Sequence, residues 1–272
     1  MTGSSFETAP DAGTARARKH ALRSRAAYIG GGTALQLGWG EPGLAPPALT
    51  LIDVTRLPEA QGVARLDAPT GPVLRIGAAM RLEQLRTHPL VVQHAPLLAR
   101  SLQTLAALGV RHLATLGGNI GWRWGDTLAP LLALDALADI GNGPGATVPL
   151  QAVLAAPELP LVLAVEIPLI PAYMLEVFEK IGLRAAFSPT RLAMALCAHV
   201  AAGRIEKLHV AVTGAQLPAR RLWQVERTLV GRVPASLRPD ELRIACAQDL
   251  PGEAARARLA MRLLTGHLCH AV

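Results

Sequence analysis

Gly30-Gly31-Gly32-Thr33-Ala34-Leu35 follows directly on Arg25-Ala26-Ala27-Tyr28-Ile29, a β-type run that delivers the chain into a glycine turn. Successive glycines expose backbone N–H groups and leave no Cβ in the way of a close approach, and Thr33 adds a hydroxyl donor. The stretch is an anion cradle in principle and a structural turn otherwise. No glycine completes the pattern G-x-G-x-x-G, and no Lys-Ser/Thr pair follows as in a P-loop. Downstream lies a second glycine loop, Ala114-Thr115-Leu116-Gly117-Gly118-Asn119-Ile120. Two such loops in one chain can clasp the phosphates or the ribityl chain of one dinucleotide, or be unrelated turns.

Working outward, β-type runs at 26–29, 49–54, 73–76, 161–167 and 208–212 alternate with helical patterns. The clearest helix spans 95–108, with Pro96 at its start, Leu98, Leu102 and Leu105 on one stripe, and Gly109 as its stop. There is no regular βαβ alternation, so the class is α+β. A Gly/Pro-rich loop covers 40–47, and a tight turn at 141–145 precedes a strand-like 147–150. Pro168 and Pro171 mark a domain boundary, and residues 1–25 read as partly ordered.

The composition excludes several classes. The longest apolar run, 159–169, carries Glu166 and falls short of the roughly 18–20 residues of a spanning helix. The net charge is +7, with Arg far outnumbering Lys, yet three Phe and two Tyr offer few stacking surfaces for a nucleic acid. An acidic protein partner suits the charge as well. Cys197, Cys246 and Cys269 are isolated, without C-x-x-C spacing, so no iron–sulfur cluster or structural zinc is expected on this chain. Sparse cysteine and a polar N-terminus without a signal-peptide core point to the cytoplasm, with export alongside a partner left open.

The run Thr115-Leu116-Gly117-Gly118-Asn119 resembles the T-I-G-G-N loop of the FAD-binding subunits of the xanthine dehydrogenase and carbon monoxide dehydrogenase family, the molybdenum hydroxylases. Gly30 to Leu35 resembles that family's A-G-G-T-x-L loop. Further similarities follow in the family's order: Leu51-Ile52-Asp53-Val54-Thr55-Arg56-Leu57-Pro58-Glu59, Leu74-Arg75-Ile76-Gly77-Ala78-Ala79, His88-Pro89-Leu90-Val91, Leu131-Leu132-Ala133-Leu134-Asp135-Ala136, and Phe178-Glu179-Lys180-Ile181-Gly182-Leu183-Arg184.

The resemblance implies a two-part FAD-binding domain of the vanillyl-alcohol-oxidase (PCMH) type over 26–170, with a break near 57. A smaller α+β domain like the C-terminal domain of carbon monoxide dehydrogenase flavoproteins would occupy 171–272. It implies non-covalent FAD held by Tyr28, Gly30, Gly31, Gly32, Thr33, Ala34, Leu35, Thr115, Gly118, Asn119, Trp124, Asp126, Ile167 and Lys180, with Ile167 lining the cofactor and Lys180 near the flavin end. It further implies a large molybdopterin subunit and a small 2Fe-2S subunit as partners, and electrons passed through the flavin to an external acceptor. A self-contained flavin oxidoreductase of the same fold, or a flavin-free scaffold, are the alternatives.

Two departures bear on the site. Only seven positions separate Asn119 from Asp126, a shorter loop than the family's, and Trp122 and Trp124 stand where small and acidic residues are usual. Asp126 either keeps the family position or caps the helix beginning near Thr127. The two indoles either stack on the cofactor, meet a partner or pack internally.

Overall fold

The computed structural model describes residues 3–40, 43–143, 146–169, 175–182 and 189–269. The chain forms two compact units: one gathers the residues up to 123 with 136–169, the other joins 124–135 to the residues from 170 onward.

The first unit holds two sheets. In the smaller, β1 (Ser5–Thr8) and β2 (Ala26–Ile29) flank β3 (Thr50–Asp53), all parallel. Helix Ala12–Leu22 makes the crossover, its first turn capped by Asp11, which accepts from the Thr14 N–H at 2.7 Å. Where the sequence suggested only partial order before residue 26, a strand and this helix are present. The larger sheet comprises β4 (Val63–Ala68), β5 (Gly71–Gly77), β6 (Leu137–Asp139), β7 (Thr147–Pro149) and β8 (Ala164–Pro168), in the order β4-β5-β8-β6-β7 with antiparallel pairing. Leu74 and Ile76 of β5, opposite Ile167 and Val165 of β8, are fully buried or nearly so.

The helix expected over 95–108 is two helices. Pro96–Thr104 carries the buried Leu98 and Leu102, then the chain turns extended at Leu105 and left-handed at Ala106 (φ 48°) before Leu108–Leu113 begins. Gly109 therefore sits inside the second helix rather than ending the first. The strand-like 147–150 stops at Pro149, and Leu150 opens a helix to Ala155. Residues 41–42 and 144–145 of the two expected turns, Leu183 and Arg184 of the last motif, and Pro171 of the boundary lie outside the described residues.

The second unit is one antiparallel sheet, β12-β11-β10-β9, made of β9 (Leu175–Gly182), β10 (Thr190–Ala201), β11 (Arg204–Gly214) and β12 (Leu217–Arg221). Period-two alternation gives it two apolar faces. Leu192, Met194, Leu196, Val210 and Val212 form a core with the helices Trp223–Leu229, Pro239–Asp249 and Ala254–Cys269. The intervening Ala193, Ala195 and Cys197 are small and buried, and let the helix Leu128–Ala133 approach the other face. There His209 Nδ1 lies 2.8 Å from the Ala133 carbonyl, and the buried Arg221 bridges Glu226 (2.6 Å) and Asp135 (2.5 Å).

Candidate functional site

The first glycine loop leaves the end of β2, where Val54 donates back to the Ile29 carbonyl. Gly32 has φ +71°, a conformation that non-glycine residues adopt only at a cost, and its carbonyl accepts from Gln36 N at 3.2 Å. Among the described residues, no backbone carbonyl accepts from the N–H groups of Gly31, Gly32, Thr33 or Ala34. The loop thus presents a row of open donors.

The second loop spends its amides differently. Leu116 donates to the Met80 carbonyl at 3.0 Å and Gly117 to Ala78 at 2.7 Å. Thr115 caps the helix Leu116–Gly121 by accepting from Gly118 N at 3.1 Å, and Asn119 N donates to the Thr115 carbonyl. Gly118, expected to help grip the cofactor, has its amide satisfied within the protein, and Thr115, Gly117, Gly118 and Asn119 of this loop are among the residues lining the cavity on which both loops open.

The two loops meet backbone to backbone. A Cβ on Gly31 would fall on the Leu113 carbonyl, and one on Gly30 on the Thr115 hydroxyl. These glycines were expected to clear the way for a phosphate; at Gly30 and Gly31 the close approach is instead between the loops themselves. Arg81 donates to the same Leu113 carbonyl.

Both loops open on one cavity of about 530 Å³, within the ordinary range of cofactor pockets. Tyr28, Gly30, Gly31, Gly32, Thr33, Ala34, Leu35, Thr115, Gly118 and Asn119 line it, as does Trp122. The sequence reading missed Lys19, Glu158, Leu161 and Val162, which also line it. Leu161 and Val162 lay inside the apolar run read as strand, but β8 starts only at Ala164 and the residues before it are extended wall. Lys19 and Glu158 had no local signal, because they meet only across 139 residues of sequence. Burial pushes the half-buried Tyr28 phenol above its ordinary pKa, and Lys19 holds the Glu158 carboxyl below its own.

Four expected residues are not among those lining the cavity. Ile167 is in β8, 1% exposed and opposite Leu74, where strand alternation turns it into the sheet's core rather than the cavity wall. Trp124, Asp126 and Lys180 belong to the second unit. Asp126 receives Lys180 Nζ at 2.6 Å on one carboxylate oxygen and Thr190 Oγ1 at 2.8 Å on the other. The helix it was a candidate to cap has Thr127 as its N-cap instead. Arg123, between Trp122 and Trp124 in the sequence, has φ +60° and donates to the carbonyls of Leu154, Ala156 and Pro157. Trp122 is among the residues lining the cavity.

A loop of open amides beside a mostly apolar chamber fits a ligand with an anionic middle and flat ends, which is the chemistry of FAD. Residues 8–170 match the family model described as the FAD binding domain in molybdopterin dehydrogenase. A putative xanthine dehydrogenase FAD-binding subunit of Escherichia coli (strain K12) is 32% identical over 97 residues, 35% of this chain and 32% of that protein. The match thus spans about a third of that curated relative. The structure resembles a chain of the carbon monoxide dehydrogenase of Hydrogenophaga pseudoflava lacking the Mo-pyranopterin moiety, with TM-score 0.80, 22% identity, and 97% and 95% of the two chains covered. It also resembles a chain of quinoline 2-oxidoreductase from Pseudomonas putida 86, with TM-score 0.77, 19% identity, and 99% and 96% covered. At those identities the likeness is one of fold, and it extends over nearly the whole chain.

Proposed function

Since this chain belongs to the family of FAD binding domains in molybdopterin dehydrogenases, we propose that it holds FAD non-covalently in the cavity between its two glycine loops and serves as the electron-transfer subunit of a molybdenum hydroxylase. The observation that carries this reading is that both loops, read separately in the sequence, line one chamber whose polar edge is a run of open N–H groups. The amides of 31–34 would face the pyrophosphate, and Thr115 and Asn119 would close the grip from the other side. Tyr28, Leu161, Val162 and Trp122 would cover the flat rings and exclude water. When bound, the flavin supplies the redox chemistry, accepting electrons one or two at a time and passing them on.

The electron source in this reading is a small partner subunit with two 2Fe-2S clusters, and substrate oxidation belongs to a large molybdopterin subunit. NAD, a quinone, a cytochrome or oxygen would be the acceptor. The test is direct. Denaturing the purified protein should release a flavin that chromatographs as FAD in near-equimolar amount; release of none, or of FMN alone, overturns the reading. Among the described residues no helix is long and apolar enough to cross a membrane.

A further inference from the structure

Lys19 and Glu158 line the cavity but take no part in the glycine loops. Lys19 Nζ donates to Glu158 Oε1 at 2.8 Å and to the Arg23 carbonyl at 3.1 Å, so one ammonium joins the helix Ala12–Leu22 to the segment before β8. Arg23 precedes β2 by three residues, whereas the glycine loop leaves that strand's other end. At about 3.3 Å per residue, Ala26 and Gly30 stand roughly 13 Å apart. The pair therefore sits at the end of the chamber away from the open amides.

The helix itself is fastened. Arg16, one turn before Lys19, donates to the Ile140 carbonyl at 2.6 Å. The Lys19 side chain is 21% exposed and that of Glu158 79%, so the ammonium is mostly covered while the carboxylate stands in water. A fixed helix with one long side chain reaching an exposed carboxylate makes a contact that opens by side-chain rotation alone.

We infer that the Lys19–Glu158 ion pair is a latch over this end of the cavity and that it slows the exchange of the dinucleotide. The inference rests on the cofactor reading above. An ion pair whose carboxylate stands in water is weak and screened by salt, so the latch changes a rate by a small factor, about two- to five-fold, rather than deciding whether cofactor binds.

The experiment follows FAD release from the full holoprotein by the rise of flavin fluorescence on dilution, at several salt concentrations. Lys19→Met and Glu158→Gln should each speed release about two- to five-fold at low salt and flatten its salt dependence. Lys19→Arg, which keeps the charge, should release at the wild-type rate. The double variant should be no faster than either single one, because both remove the same contact. Single variants that release at the wild-type rate, or effects that add in the double variant, overturn the latch. A wild-type chain that takes up no FAD overturns the cofactor reading itself, a result distinct from equal release by all variants.

Discussion

The carbonyl of Leu113 occupies the space that a side chain on Gly31 would need. Loop one and loop two are therefore one structure, and the sensitivity of the first loop to substitution is a matter of packing as much as of ligand access.

Gly31→Ala should separate the loops, lower the thermal midpoint and abolish retention of FAD. Gly266→Ala, inside the helix Ala254–Cys269 with nothing within 4 Å of the added methyl and not among the residues lining the cavity, should retain it and gain up to about 1 kcal/mol from helix propensity. Flavin content and melting temperature of the two purified variants check this. Equal retention would show that the loops tolerate being parted.

Trp122 is among the residues lining the cavity and Trp124 is not. Trp122→Ala should therefore alter the absorbance or fluorescence of bound flavin and weaken its binding by about 0.5–1.5 kcal/mol, the worth of an aromatic contact. Trp124→Ala should leave both unchanged. The reverse pattern would show that the indole at the cofactor had been misassigned.

Acid should act through Glu83. Its carboxylate accepts from Arg86 at 2.5 Å and from Arg111 at 2.6 Å, and these hydrogen bonds, Arg86 first, hold its pKa near about 2 instead of 4.5. A carboxyl depressed by folding stabilises the protein at pH values above 4.5, and the stabilisation is lost as pH falls from 4.5 toward about 2. Arg111 lies on the helix Leu108–Leu113 that delivers Leu113 to the glycine loop, so the loss should loosen that contact. Urea midpoints measured across this range should fall for the wild type, whereas Glu83→Gln should start lower at pH 7 and fall less. Parallel curves would remove Glu83 from the account.

What was legible in the sequence was local. The run 26–29 is β2 to the residue, because an apolar strand followed by glycines has few other readings. Both loops were readable for the same reason. Gly109 misled because a stop was assigned from residue type alone, while the break comes earlier, at the left-handed Ala106. Ile167 misled because resemblance placed it in the wall, whereas the alternation of β8 turns it inward. Lys19, Glu158 and the partnership of Asp126 with Lys180 are contacts between distant segments. Nothing in the spacing of such residues announces them; only the folded chain brings them together.

Residues 124–135 leave the first unit and pack on β10 and β11, and all six residues of the helix Leu128–Ala133 are buried. On a ribosome this helix emerges well before the strands that cover it. The nascent chain must carry an apolar segment without a seat until β9 to β12 have been made, and the later strands must pair around a piece already synthesised. Maturation of the second unit is therefore bound to the completeness of the chain: a C-terminal fragment lacking these residues would expose Ala193, Ala195 and Cys197 to water, and an N-terminal fragment would be left with a helix that has nowhere to dock.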